Sequence, residues 1–431
     1  MKKVAVVGSG ISGLSAAWLL SNYSPKDNPC EVHLFESSDY LGGHSNTVDV
    51  SLEGKTAPID TGFLVHNNRT YPHLIELFKT LGIDVYESDM SFSVKVLEKN
   101  LEWAGSSLNT LFIQRKNILS LSFLRMIQDI LRFNKKKYEY LEKCLTHQWS
   151  LGELLVQEKF SDEFRDWYLI PMGACIWSTP TSEMLRFPGF TFIQFCENHG
   201  LLQVSDRPQW KTIKGGSREY VKKMASTIPY VYLNEPVVSV SRKNANGKMS
   251  LVSKKQTLEF DEIILATHTD ISHKMIQNPL EEDMAILEGI DYQENIAYLH
   301  TDKTFLPENK KAWSAWNYET DVAGPNERAV MVSYYINNLQ ALPFQTPVLV
   351  TLNPTREPKR DQIIKKITYH HPVFTEKSTL AQKLLPKHQG LDGLWFAGAW
   401  TRYGFHEDGM LSGLLVANQL GAFAPWQVEK K

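Results

Sequence analysis

The feature that most restricts how this chain can fold is its opening run, VAVVGSGISGLSAAWLL, from Val4 to Leu20. Lys3 to Val7 reads as a short buried strand, and Ile11 to Asn22 carries apolar residues at helical spacing. Gly8, Gly10 and Gly13 join the two directly. Gly8 permits a tight turn, Gly10 lets the backbone approach a pyrophosphate, and Gly13 lets the helix pack closely on the strand. The unpaired N–H groups at the helix start, around Ile11 and Ser12, then face the anionic phosphates. A second strand, Glu31 to Glu36, follows a loop of Ser24, Pro25, Lys26, Asp27, Asn28 and Pro29. It ends on a carboxylate placed to bind ribose hydroxyls, which completes the order expected of a dinucleotide-binding βαβ unit. Lys2 and Lys3 before an apolar run also look like a secretory leader, but the glycine spacing and the lack of a small-residue cleavage site argue against it.

Length and charge narrow the class further. At 431 residues the chain exceeds the usual size of one core, so a cofactor domain plus a substrate domain is expected. Hydrophobic residues are 42% and charged residues 22%, a balance that supports a large buried interior. A formal net charge of -2 gives no overall field toward nucleic acid or anionic lipid, so binding must come from local sites. Cys30, Cys144, Cys175 and Cys196 are scattered without a C-x-x-C pair, which suggests neither a zinc site nor a disulfide framework and fits a cytoplasmic protein. No other apolar stretch approaches the ~18 residues of a membrane span.

Further along, Thr47 to Leu52 alternates, turns at Glu53 and Gly54, and returns toward Ile59 as a small hairpin. Thr70 with Pro72 marks a helix start and Gly82 its end. Leu108 to about His147 carries a helical pattern, and Ser150 with Glu153 forms a capping box that opens another helix. Strands are expected at Tyr230 to Leu233, Pro236 to Arg242, Lys248 to Ser253 and Glu262 to Thr267, then at Trp313 to Tyr318 and Val330 to Ile336. Leu394 to Gly398 makes a last buried strand before a helix from about Met410 to Leu420. The expected class is α/β: a Rossmann-like dinucleotide-binding domain with a parallel sheet, from residues 1–68, 205–270 and 388–425, and a discontinuous α+β substrate domain with a helical region, from 69–204 and 271–387.

The βαβ unit alone does not separate NAD from FAD, and three further segments bear on the choice. Gly42 and Gly43 follow Glu36 in FESSDYLGGHSNT, IDTGF runs from Ile59 to Phe63, and LWFAGAWTRYGFHEDGMLSGLLVANQL lies near the carboxy end. Together these resemble the flavin amine oxidase and phytoene desaturase superfamily. The resemblance implies that Gly42, Gly43 and His44 lie by the phosphates of FAD, and that Gly62 and Phe63 lie near the flavin ring. It also implies that Val237 in NEPVVSV contacts the adenine, and that Gly398 and Ala399 belong to the carboxy-terminal cofactor loop. QWKTIKGGSREYV and LATHTD fit the same pattern. A helix beginning near Gly409 and Met410 would point N–H groups outward, able to stabilise charge on a reduced flavin, with Asp408 read as its cap. The chain departs from the family pattern in carrying Tyr40 and His44 where many members have arginines, so phosphate binding leans on backbone amides and an imidazole. Ala399 stands where an acidic residue is common, and Asp408 where a glutamate is frequent. GACIWSTP, from Gly173 to Pro180, most resembles a bacterial subgroup associated with lipid-modifying enzymes.

The resemblance implies hydride transfer from a substrate C–H bond to flavin N5. With a central region dense in Leu, Ile, Phe and Trp, the expected substrate is apolar, an acyl chain or lipid, acted on by a dehydrogenase, desaturase or isomerase. Amine oxidation with peroxide formation is the alternative chemistry. A lipid-binding escort of related fold, as in GDP dissociation inhibitors, is the non-catalytic alternative, against which Glu36 and the paired glycines speak. Tyr403 and His406, on the loop before the last helix, are the candidate catalytic walls of the reaction pocket. No metal is expected, because His370 and His371 are adjacent on a presumed strand and point to opposite faces. Arg132, Lys135, Lys136 and Lys137 read as a solvated helix face, with docking on a membrane surface as the lesser reading.

Overall fold

The computed structural model describes residues 1–177, 181–203, 208–320 and 331–428. Residues 178–180 of the GACIWSTP segment, the expected boundary at 205 and Val330 lie outside the described residues. The opening run forms strand β1 (Lys2–Val7) and helix α1 (Ile11–Tyr23), followed by strand β2 (Cys30–Phe35). Strands β3 (Tyr230–Tyr232), β4 (Glu262–Leu265) and β5 (Leu394–Phe396) complete a parallel sheet in the order β3-β2-β1-β4-β5. Val4, Ala5 and Val6 are wholly buried because helices and loops cover both faces of this sheet, which is why β1 reads as an unbroken apolar run. Helix α2 (His406–Gln419) packs beside α1 in the same direction and at very short range, since Gly409 lies against Ile11 and Ser12 and a Cβ on Gly413 would stand 2.2 Å from the Ser12 carbonyl oxygen.

Helix α2 begins at His406, four residues before the expected Met410. Phe405 takes the cap position, and the Asp408 carboxylate accepts the Phe405 N–H at 3.0 Å. Asp408 therefore serves as the side-chain half of the cap from inside the first turn, where a carboxylate also meets the positive end of the helix. The stretch from Leu108 to His147 is broken into a turn of helix at Leu108–Leu111, a 3₁₀ segment at Arg115–Leu119 and a long helix at Leu121–His147. Ser107 and Ser120 cap the first and last of these, which is the local reason for the breaks. A strand at Thr257–Phe260, not expected from the sequence, completes an antiparallel sheet with Val237–Val240 and Met249–Ser253.

The second large sheet has seven strands, in the order Ile363–Val373, Asp291–His300, Leu349–Leu352, Met331–Tyr335, Trp316–Thr320, Phe92–Val96 and Leu101–Ala104. Its pairings are antiparallel except that of Trp316–Thr320 with Phe92–Val96. The strand at Trp316 starts later than the expected Trp313 because the Ser314 N–H turns back onto the Asn317 side chain. Against one side of this sheet lie the helices between Leu121 and Asn198, whose core is an aromatic cluster of Phe133, Tyr140, Phe160 and Phe164. Asp60, at the end of the hairpin of Thr47–Leu52 and Lys55–Asp60, ties that hairpin to the rest of the chain by accepting from Ser217 and from Gln340, and it also accepts from Thr47 across the hairpin.

Candidate functional site

A cavity of about 990 Å³ runs from the carboxyl ends of β1, β2 and β4 into the face of the seven-stranded sheet. It therefore lies at the strand ends where open parallel sheets bind ligands. Gly8, at φ +99, makes the turn after β1, and a Cβ there would press 2.7 Å from the Ala266 carbonyl oxygen. Over Gly10 there is open space, since a Cβ would meet nothing within 4 Å. The second glycine turn closes on the first: the Gly42 N–H donates to the Ser9 carbonyl at 3.1 Å, and Gly43 at φ +57 stacks on Gly10. Together they form a backbone-lined concavity suited to an anion.

Glu36 sits just beyond β2 on this wall. One carboxylate oxygen accepts the Ser9 N–H at 3.0 Å and the Ser9 hydroxyl at 2.5 Å, and the other accepts the Ser38 N–H at 2.9 Å. These bonds fix its orientation and leave lone pairs for a ribose hydroxyl. Beside it on the wall is Glu235, buried and bonded by the Ser253 hydroxyl at 2.7 Å. Sequence reasoning missed Glu235, although its position two residues before Val237 was the available signal.

No lysine or arginine lines the cavity among the described residues. His44 is the polar side chain next to the glycine pair, stacked on Tyr369 at 4.7 Å and near His371 at 5.1 Å. Its buried Nε2 has no hydrogen-bond partner among the described residues. Burial first, then the neighbouring imidazoles, hold its pKa well below the ordinary histidine value. The cradle would offer phosphate oxygens backbone N–H groups and an imidazole, a donor set that fits a dinucleotide.

At the other end of this cradle Phe63 and His406 stack at 3.8 Å, nearly parallel. Gly62 allows the chain to cross tightly over His44, since a Cβ would stand 2.3 Å from the His44 carbonyl oxygen. His406 is the first residue of α2 and its Nε2 pairs with the Tyr220 hydroxyl at 2.7 Å. Burial pushes its pKa down to about 3, so it is a neutral ring across ordinary pH. The N–H groups of the first turn of α2 have no partners within the helix. Glu407 turns away and accepts the N–H groups of His73 at 2.8 Å and Leu74 at 3.1 Å.

All the cofactor residues expected from the sequence lie on the cavity wall except Gly13, Gly409 and Met410. Gly13 stands behind the wall, its Cβ position 1.9 Å from the Gly8 carbonyl oxygen, as a close-packing glycine does. Gly409 packs on Ile11 and Ser12, and Met410 is wholly buried. The earlier start of α2 puts His406 where these two residues were expected. Tyr403 is on the wall at its exposed rim, with Arg402 over its ring at 6.0 Å.

Beyond Phe63 and His406 the wall becomes apolar, with Phe92, Trp103, Tyr168, Met172, Trp177 and Trp316. Asp89 is the carboxylate in this part, and it is engaged by Ser91 and Asn338. Three of the four basic residues on the long helix are compensated: Arg132 binds Asp129 at 2.8 Å, Lys136 binds Glu139 at 3.1 Å and Lys137 pairs with Glu197. No helix among the described residues is long and apolar enough to cross a membrane.

A parallel sheet with paired glycine turns, an anchored carboxylate at the second strand and a closing helix defines a flavin-dinucleotide protein of the α/β class. The family model described as flavin containing amine oxidoreductase matches residues 11–368, and the chain belongs to that family of FAD-dependent oxidoreductases. A cyclohexylamine oxidase from Brevibacterium oxydans IH-35A superposes with a TM-score of 0.69 at 16% identity, covering 97% of this chain and 99% of that one. A fatty acid isomerase from P. acnes that produces CLA superposes with a TM-score of 0.65 at 14% identity, covering 97% and 98%. A 1-hydroxycarotenoid 3,4-desaturase from Flavobacterium sp. (strain P99-3) is 30% identical over 164 residues. That match spans 34% of this chain and 29% of the desaturase.

Proposed function

We propose that this protein is a dehydrogenase, desaturase or isomerase acting on an apolar acyl-chain or lipid substrate. The observation that carries the reading is the far half of the cavity, walled by Phe92, Trp103, Met172, Trp177 and Trp316 with no cation and with its one carboxylate, Asp89, already bonded. Such a wall favours a long apolar chain, which gains about 0.8 kcal/mol per buried CH₂, and among the described residues it has no cation to hold a free anionic substrate.

Gly10, Gly42, Gly43 and His44 would hold the pyrophosphate, and Glu36 the ribose. FAD, when bound, supplies two-electron acceptance from a C–H bond. The protein's own residues orient and exclude water. Phe63 and His406 form a flat, neutral partition between the cradle and the apolar chamber. The first turn of α2 brings partly positive N–H groups to that partition, where they stabilise developing negative charge. Tyr403, at the rim, guards the chamber from solvent.

The test is anaerobic mixing of the FAD-loaded protein with unsaturated or methyl-branched acyl lipids and, in parallel, with amines. Flavin bleaching, or a rearranged product without net bleaching, in the lipid arm alone is expected. Bleaching by amines alone, with peroxide on admitting air, would overturn the lipid reading. Amine oxidation is the second reading, and the aromatic rings of Trp103, Tyr168 and Trp316 favour it, because such rings also hold cationic groups.

A further inference from the structure

We propose that the surface formed by residues 105–124 docks on an anionic lipid bilayer and sets the mouth of the apolar chamber against it. Leu108, Leu119 and Leu121 are 76%, 88% and 79% exposed, and Ile118 and Leu124 are exposed beside them. Side chains this apolar and this open are scattered singly on ordinary surfaces, whereas here they gather on the helical turn Leu108–Leu111, the 3₁₀ segment Arg115–Leu119 and the first turn of the long helix Leu121–His147. The segments are held as one unit. The ring of Phe112 meets that of buried Phe123 at 5.7 Å, and Arg115 donates to the Phe112 carbonyl at 3.0 Å and to Asn109.

The charge on this surface points to the partner. Between residues 105 and 128 the chain carries Arg115, Lys116 and Arg125 and no carboxylate. Arg115 and Lys116 bind only carbonyl and amide oxygens and form no ion pair among the described residues. Arg125 is paired with Glu163 at 3.5 Å, while Asp162 and Asp166 at the base of the patch share Arg165, which leaves one negative charge there. Arg115 and Lys116 stand among the exposed leucines without an ion pair of their own among the described residues, and exposed leucines interleaved with free cations are the combination that inserts apolar side chains below anionic headgroups.

The chamber opens at the same place. Gly105 and Ser106 are exposed and also line the cavity, with Trp103 just inside. A lipid tail leaving the bilayer at this surface would enter the apolar wall without crossing water. The use of the surface for substrate delivery rests on the acyl-chain reading above; the docking itself does not.

Co-sedimentation of the full, FAD-loaded protein with vesicles of phosphatidylglycerol mixed with phosphatidylcholine tests this. Binding is expected to be lost on Leu119→Ser with Leu121→Ser, by about thirtyfold or more in partition coefficient. On Arg115→Glu with Lys116→Glu the loss is about tenfold or more and depends on salt. Leu380→Ser, at an exposed site elsewhere, should bind as the parent does. Unchanged melting temperatures separate these effects from misfolding. A parent that ignores the vesicles, or leucine variants that bind like it, would overturn the proposal. So would a concentration-dependent dimer that the leucine changes dissolve, since the face would then cover a second copy. Vesicle binding together with amine-only flavin reduction would sink the acyl-chain reading and leave the docking surface standing.

Discussion

An added methyl group at Gly10 would meet no protein atom within 4 Å, while at Gly13 it would stand 1.9 Å from the Gly8 carbonyl oxygen. The two glycines of one motif thus answer to different constraints. Gly13→Ala is expected to cost several kcal/mol, on the order of a severe packing clash, and to yield little folded protein. Gly10→Ala should fold with a melting temperature close to the parent's and lose FAD affinity at least about tenfold in a fluorescence titration, by analogy with a lost close backbone approach. Parent-like FAD binding by Gly10→Ala would mean that the space over Gly10 is not the nucleotide site. At His406 the constraint is chemical. With its ring stacked on Phe63 and its Nε2 on Tyr220, the side chain is held rigidly and uncharged, because burial takes its pKa down to about 3. His406→Asn is expected to lower kcat about ten- to a hundredfold with the flavin stoichiometry unchanged. The pH profile of kcat/KM of the parent should carry no inflection from this residue between pH 5 and 8. Loss of flavin with kcat intact in the remaining loaded fraction would assign His406 to cofactor retention instead.

Helix α2 does more than end the parallel sheet. Its first turn sends Glu407 into the start of the helix Pro72–Leu81, where Tyr71 at the cap position makes no side-chain bond, so Glu407 supplies the missing acceptor to His73 and Leu74. Burial raises the Glu407 pKa to about 7 against the pull of those two N–H donors. A folded-state value above the ordinary 4.5 means that the folded protein holds the extra proton between the two, so this residue's contribution to stability falls as pH rises from about 4.5 to 7. Glu407→Ala should destabilise by about 1–2 kcal/mol as a lost cap. Glu407→Gln, which keeps one acceptor, should cost less at pH 8 and flatten the pH dependence across that window. A variant series with parallel stability curves would remove the cap from the account. Elements of this kind mark the limit of what the chain discloses in one dimension. The hairpin of Thr47–Leu52 and the helix at Pro72–Leu81 were legible because alternation, proline and glycine are local signals. The true start of α2 was not, because Phe405 carries no capping chemistry of its own and the deciding bond comes from Asp408.

At the scale of the molecule, the cavity wall gathers residues from Val7 to His406. The glycine spacings were legible because their geometry is sequential, whereas Trp316 and His371 reach the wall only through strand register in the seven-stranded sheet, and Glu235 from the connection between the strands Tyr230–Tyr232 and Val237–Val240. That long-range assembly also buries an uncommon set of imidazoles. Burial pushes His66, His199, His300 and His371 down to about 4 and His406 to about 3. Each of these bases has a folded-state pKa below its unfolded value of 6.5, so its contribution is complete above that value and is lost as pH falls toward 4. Buried carboxyls oppose the trend, since Asp60 and Asp408 are raised to about 6 and Glu407 to about 7. His33, His44 and His268 are also held below the ordinary histidine value by burial, so at pH 5 the depressed imidazoles outnumber the three raised carboxyls, unfolding takes up protons and stability falls as pH drops below 6.5. Calorimetric unfolding of the FAD-saturated protein at pH 5, in two buffers of different ionisation enthalpy, should therefore register proton uptake, reduced by about one proton in His371→Phe. Proton release on unfolding would mean that the carboxyls dominate and that the imidazoles around the cavity are not held neutral.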